Sequence, residues 1–209
     1  MTAKRVFPQT ADMLAVFLAS GGTLVLEIAA AHLLAPHTGL TLHVWTGVIA
    51  SVLAGMTAGH WFGGRLASAD ARTARRRVAN ALAAAALSGL ATLALVPWLA
   101  NVMPDGRSPL TIAVLSLPFL PPALFAGLVA PILTTLAIEQ AKHGMGRAFG
   151  RLYATSAVGG VVGAMATGYV LLGWLGLTDI VTGVAACFGL VAAIMTLAAP
   201  RKTEAKGTA

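Results

Sequence analysis

Six long apolar stretches divide this chain, at residues 11–34, 42–64, 78–100, 109–138, 152–173 and 178–199. Each is as long as the roughly 20 residues a helix needs to cross a hydrocarbon core. The runs are continuous, so they specify helices; a membrane β-strand would alternate over about 10 residues. Charge sorts what lies between them. Lys4 and Arg5 precede the first stretch, and Arg65, Arg72, Arg75, Arg76 and Arg77 separate the second from the third. Lys142, Arg147 and Arg151 follow the fourth, and Arg201, Lys202 and Lys206 follow the last. Thirteen of the fourteen Lys and Arg residues thus fall on one side, with Arg107 alone in a loop of opposite parity. Basic residues in short loops are retained in the cytoplasm. The pattern predicts six transmembrane helices with both termini cytoplasmic, Asp70 and His143 inside, and Gly39 and Asp105 outside.

A hydrophobic fraction of 57%, 10% charged residues and a mean hydropathy of +0.82 suit a chain dissolved in lipid. The net charge of +7 is carried by the cytoplasmic loops, so the partner it implies is anionic headgroups and not nucleic acid. Residues 1–10 read as a cytoplasmic lead, 11–199 as the membrane domain and 200–209 as a cytoplasmic tail. The first apolar run is too long for a cleavable signal. The longest loops have about a dozen residues, so a soluble catalytic domain is not expected. No Gly-rich phosphate cradle, Ser/His/Asp constellation or Cys pair is legible, and Cys187 stands alone in the sixth stretch. The expectation is a chain that is not an enzyme and carries no cofactor and no metal.

Small residues recur every fourth position in the second stretch, at Gly47, Ser51, Gly55, Gly59 and Gly63. The fifth repeats the device with Ser156, Gly160, Ala164 and Gly168, flanked by Gly159 and Gly163. Such stripes let another backbone approach closely, either within the chain or across a homodimer interface. The first and fourth stretches share a different feature. Ser20-Gly21-Gly22 weakens one, while Pro118, Pro121-Pro122 and Pro131 interrupt the other. Matched breaks in two halves of three helices point to a 3+3 inverted repeat, whose broken helices hinge beside a cavity near the midplane. Gly21, Gly22, Pro121 and Pro122 are the hinge candidates, and a kink in the fourth helix is expected.

Glu27 is the residue most out of place, a carboxylate among Leu24, Val25, Leu26, Ile28, Ala29 and Ala30. Burying its charge in hydrocarbon costs several kcal/mol unless water, a counter-charge or a proton reaches it. It is therefore the candidate for proton coupling or substrate binding, facing a cavity between the first and fourth helices, against the alternative of a structural carboxylate. His32, His37 and His43 gather around the first outer loop. They form a candidate outer polar cluster; Zn, Ni or Cu would suit imidazole and carboxylate, but the spacings match no established ligand motif. His60, followed by Trp61, reads as an interfacial pair or a weak proton relay.

Two segments carry a resemblance. One runs from Leu26-Glu27-Ile28 through Leu34-Ala35-Pro36, Gly39 and Trp45 to Gly59-His60-Trp61-Phe62-Gly63-Gly64-Arg65-Leu66-Ala67. The other runs from Gly150-Arg151-Leu152-Tyr153-Ala154-Thr155-Ser156 through Gly159, Gly163 and Gly168 to Leu175-Gly176. With Pro122 and Pro131, they resemble the membrane region of bacterial spermidine-synthase-like membrane proteins, which look like half of a major facilitator. The resemblance implies a half-facilitator fold in a bacterial-type inner (plasma) membrane. Gly64-Arg65-Leu66-Ala67 is also similar to the facilitator signature between helices two and three. That signature places an acid directly after its Ala, where this chain has Ser68 and only later Asp70. Where relatives often carry Arg, this chain has His32. Many relatives continue into a soluble aminopropyltransferase-like domain; this chain stops at Ala209, so polyamine synthesis is not expected of it.

Besides an intramembrane enzyme or metal site around Glu27 and the histidines, two function classes remain open at this point. One is a small secondary transporter working as a homodimer, its two copies supplying twelve helices and Glu27 coupling or binding a small, cationic solute. The other is a non-transporting membrane scaffold or regulatory subunit for a separately encoded enzyme. The substrate itself is not legible.

Overall fold

The computed structural model describes residues 3–103, 108–141 and 144–199, with side chains from Gln9 onward. Asp105, Arg107, Lys142, His143, Arg201, Lys202 and Lys206 lie outside the described residues. All elements within them are helical, and six helices are long and apolar enough to cross a membrane. They run Gln9–Thr38, Leu42–Leu66, Ala71–Val102, Pro109–Gln140, Met145–Trp174 and Leu177–Ala198, here spans one to six. The connections are two to six residues long. At about 3.6 Å per residue, none can return across a core about 30 Å thick, so successive spans alternate in direction. Spans one, three and five therefore start at one end, which also holds Arg65, Arg72, Arg75, Arg76, Arg77, Arg147 and Arg151 and is called the basic end below.

Two expected boundaries move. Span three begins at Ala71 instead of 78, and span five at Met145 instead of 152. Apolar content marks the lipid-embedded part of a helix, not its end; the end is set by capping. Asp70 caps span three, accepting hydrogen bonds from the Thr73 backbone N–H at 2.8 Å and from the Thr73 hydroxyl. These bonds, the hydroxyl's first, hold the Asp70 carboxyl below the ordinary carboxylate range. Gly144 precedes span five at φ 91°, a left-handed conformation that glycine adopts without a side-chain penalty. As a result Arg72, Arg75, Arg76, Arg77, Arg147 and Arg151 project from helices, not from loops.

The spans pair in a fixed pattern. Span one packs along span five, span two along span four, and span three along span six. Span one also touches span six, and span three touches span four. The larger core joins spans one, three, four and six, with Phe188, Leu82, Ile132, Leu133 and Met195 fully buried. A smaller core at the opposite end joins Leu34, Val44, Val48, Leu115 and Phe119.

The glycine stripe of span two, and that of span five at Gly159, Gly160 and Gly163, are covered inside the chain. A Cβ at Gly47 would meet Ser116 Oγ at 2.8 Å, and one at Gly55, Gly59 or Gly63 would run into Leu120, Leu124 or Pro131 of span four. A Cβ at Gly159 or Gly163 would strike the carbonyl of Phe17 or Gly21 in span one, and one at Gly160 would meet Ser20 Oγ at 3.3 Å. Ser51 is buried and Ala164 half-buried. The reading of Gly47, Ser51, Gly55, Gly59, Gly160 and Ala164 as a subunit joint is corrected on this ground: the surface in question is already covered by the chain's own helices. Gly168 differs, being exposed with open space around it.

The matched breaks also divide. Span one is a single helix from Ala3 to Thr38, passing through Gly21 and Gly22 without interruption. Span four is broken into Pro109–Ser116, a 3₁₀ turn at Leu117–Phe119, Leu120–Gly127 and Val129–Gln140. Gly21 and Gly22 are therefore not a hinge, because glycine keeps its backbone donor and weakens a helix without stopping it. Pro118, Pro121, Pro122 and Pro131 each sit in the first turn of a segment, where the missing N–H has no intrahelical partner to lose.

Candidate functional site

Spans one, two, four and five close around a small cleft of mixed lining. Its walls are Val16, Ala19, Ser20 and Thr23 of span one, Met56 and His60 of span two, Ala126, Gly127 and Ala130 of span four, and Ser156 of span five. The cleft holds about 20 Å³, enough for roughly one water and its hydrogen-bond partners. It owes its existence to small residues: Gly127 lets Met56 and Gly59 approach span four, and Gly159 lets Phe17 approach span five. Thr23 spends its hydroxyl on the Ala19 carbonyl at 2.7 Å, so Ser20, Ser156 and the His60 ring carry the free polar valence of this space.

Glu27 lies seven residues beyond Ser20 on the same unbroken helix. Two helical turns bring it back to nearly the same face, one level further from the basic end. Its side chain is half-buried and makes no ion pair or hydrogen bond among the described residues. It does not line the cleft. This cleft lies between spans one and four at the level of Ala126–Ala130, where Gly59 crosses closely on Gly127, and is distinct from the space beside Pro121-Pro122 expected to receive Glu27. Pro122 is buried and Pro121 exposed, both outside its walls.

The outer histidines do not converge. His32 donates from Nδ1 to the Ile28 carbonyl at 2.9 Å and meets the Trp45 ring edge-on at 6.1 Å. That bond selects the tautomer with Nε2 as acceptor. His37 and His43 are exposed, and among the described residues no three His, Cys, Asp or Glu side chains come together to hold a metal ion. His60 opens on the cleft, while its neighbour Trp61 lies beneath the Arg65 guanidinium, 3.3 Å from the ring centroid.

One interaction escaped the sequence reading. Arg75 of span three forms a bidentate pair with Asp12 of span one, Nε to Oδ1 at 2.9 Å and Nη2 to Oδ2 at 2.8 Å. Both side chains are largely buried, at 4% and 14% exposure, so the pair is not a solvated surface contact. Asp12 at the edge of the first apolar run was the available signal; its partner was hidden among five basic residues of one loop. Asp70 is committed to its helix cap, and Arg77 instead donates to the Leu66 carbonyl across the turn between spans two and three.

Comparison with known proteins found no matching family model, no matching curated protein and no matching solved structure.

Proposed function

We propose that this chain is a small secondary-transporter-like membrane protein, built as a 3+3 inverted repeat on the plan of half a major facilitator. The observation that carries the reading is the pairing of the spans. Exchanging one with four, two with five and three with six turns the one–five contact into two–four and the one–six contact into three–four, and returns three–six to itself. The glycines follow the same exchange. Span five brings Gly159 and Gly163 against span one, as span two brings Gly55 and Gly59 against span four. Inverted repeats with a site at the repeat interface are the plan of many secondary transporters.

On this reading both termini are cytoplasmic and the basic end faces the cytoplasm. Glu27 and the Ser20–His60–Ser156 cleft form two polar stations along one face of span one, and the solute is small and cationic, with Glu27 binding it or exchanging a proton. Two copies supply twelve helices. Their joint uses outward faces of spans two and five: span five keeps 17% of its most apolar window buried, against 50% for span one. The resemblance to the membrane region of spermidine-synthase-like proteins points the same way.

The test is cation flux in proteoliposomes, wild type against Glu27→Gln. The expected result is flux in the wild type that is lost in a variant with unchanged melting behaviour. Normal flux in the variant would remove Glu27 from the mechanism. Cysteine labelling should reach Gly39 from outside and Asp70 from inside; the reverse would invert the orientation. A second reading, a scaffold or regulatory subunit for a separate enzyme, is favoured by the size of the cleft, which at about 20 Å³ admits water but no solute. Absence of flux for every cation from a folded wild-type protein selects it.

A further inference from the structure

The basic end holds a second cavity, separate from the midplane cleft. It encloses about 230 Å³ between the start of span one, the end of span four and the start of span five. Gln9, Asp12, Gln140, Arg147 and Arg151 supply its polar wall. Arg147 and Arg151 stand four residues apart on one helix, so their side chains share a face and reach the same space. Among the described residues neither enters an ion pair. The single carboxylate in the wall is Asp12, and both of its oxygens are already held by Arg75. The nearby Glu139 is not part of the lining. The cavity wall therefore carries two arginines without an ion pair among the described residues and two amides, with its acid already held by Arg75.

We infer that this cavity binds a phosphate group. The guanidinium fork matches phosphate oxygens in paired, charge-assisted hydrogen bonds, and two exposed arginines line this one cavity. Size narrows the ligand: about 230 Å³ falls below the roughly 300–1,000 Å³ of pockets that enclose drug-sized molecules, so it suits a phosphate headgroup or a free phosphate rather than a nucleotide. Depth favours the headgroup. Gln140 and Arg147 lie at the terminal turns of their helices, where a bilayer presents its phosphates and where basic pockets between helices take lipid headgroups. A phosphate there would bridge spans one, four and five, all of which also border the midplane cleft.

The full chain is purified in detergent, and two ligands are offered separately. One is phosphatidylglycerol, added in mixed micelles against a phosphatidylcholine control, and the other is inorganic phosphate without lipid. Retention is read by native mass spectrometry and by the thermal midpoint. The variants are R147Q/R151Q and, as a control that removes one basic-end charge outside the cavity, R76Q. The expected result is selective retention of phosphatidylglycerol and a raised midpoint in wild type and R76Q. In R147Q/R151Q retention should weaken about tenfold or more, the loss that follows from removing charge-assisted hydrogen bonds. An effect with inorganic phosphate that vanishes in R147Q/R151Q assigns the same site to a soluble ion. Equal binding by wild type and R147Q/R151Q in both arms overturns the proposal. So does a loss in R76Q of half that size or more on a logarithmic scale, which would mean diffuse attraction to the basic end. Melting in phosphatidylcholine at the wild-type midpoint certifies that each variant is folded.

Discussion

Span one and span four carry the same kind of helix-weakening sequence and end up as opposite structures. Span one holds Gly21-Gly22 and stays a single helix of 36 residues counting its polar lead; span four holds three proline sites and breaks into three helical segments joined by a 3₁₀ turn and Leu128. Glycine retains its N–H and offers a missing side chain, which span one uses to bring span five down onto its backbone at Gly21 and Phe17. Proline has no N–H, and although Pro36 and Pro97 lie within unbroken helices, the closely spaced prolines of span four coincide with restarts, whose segments lay the Leu120 and Leu124 carbonyls on the glycine stripe of span two. A straight helix crossed by a glycine-bearing partner, and a broken helix crossed by another, thus give two versions of one contact.

The largest test of this contrast lies at the clamp on the straight helix. Removing Arg75 or Asp12 alone, as Arg75→Ala or Asp12→Ala, should cost about 3–5 kcal/mol, because each leaves a buried charge without its partner. Denaturation in mixed micelles measures it, and the double variant Asp12→Leu/Arg75→Met should recover most of the loss. A small cost for the single variants would mean the pair is wet and span one is held by packing alone.

Next is the crossing itself. Gly159→Leu should cost at least the roughly 1–3 kcal/mol of an overpacked core, since its new side chain meets the Phe17 carbonyl and backbone cannot rotate away. Gly22→Ala should cost less, because the nearest atoms it meets are the far end of the Phe188 side chain, which can be displaced where backbone cannot. Equal effects of the two would erase the distinction between backbone and side-chain contact on which the comparison rests.

Smaller still is Pro121→Ala. Pro121 is exposed and sits in the first turn of Leu120–Gly127, so restoring its N–H should change stability by no more than about 0.5 kcal/mol. A large gain would show that span four is under strain at its break. Gly168→Leu, in open space on span five, should leave the monomer's stability within about 0.5 kcal/mol. A loss of self-association in that variant alone would locate the subunit joint.

The six spans, their approximate centres and the break in span four were all legible beforehand, each for a local reason. Hydrocarbon demands about 20 apolar residues per helix, and proline acts on its own turn. Glu27 was legible as an anomaly, because cost in lipid depends on the residue itself. The cleft was not: it gathers Ser20, His60, Ser156 and Gly127 from four different spans, and no spacing in the chain relates them.

The division between the two levels follows from range. Sequence alone determined how many helices cross and which ends share the basic charge, since hydropathy, length and short connections act within one segment and its neighbours. Tertiary structure decided that the stripes serve the chain's own crossings, that Arg75 leaves the basic cluster to meet Asp12, and that Arg147 and Arg151 face a cavity. A small residue or a charge states only that something must approach it. Which surface does so depends on helix rotation and pairing, and these are set by the packing of all six spans together.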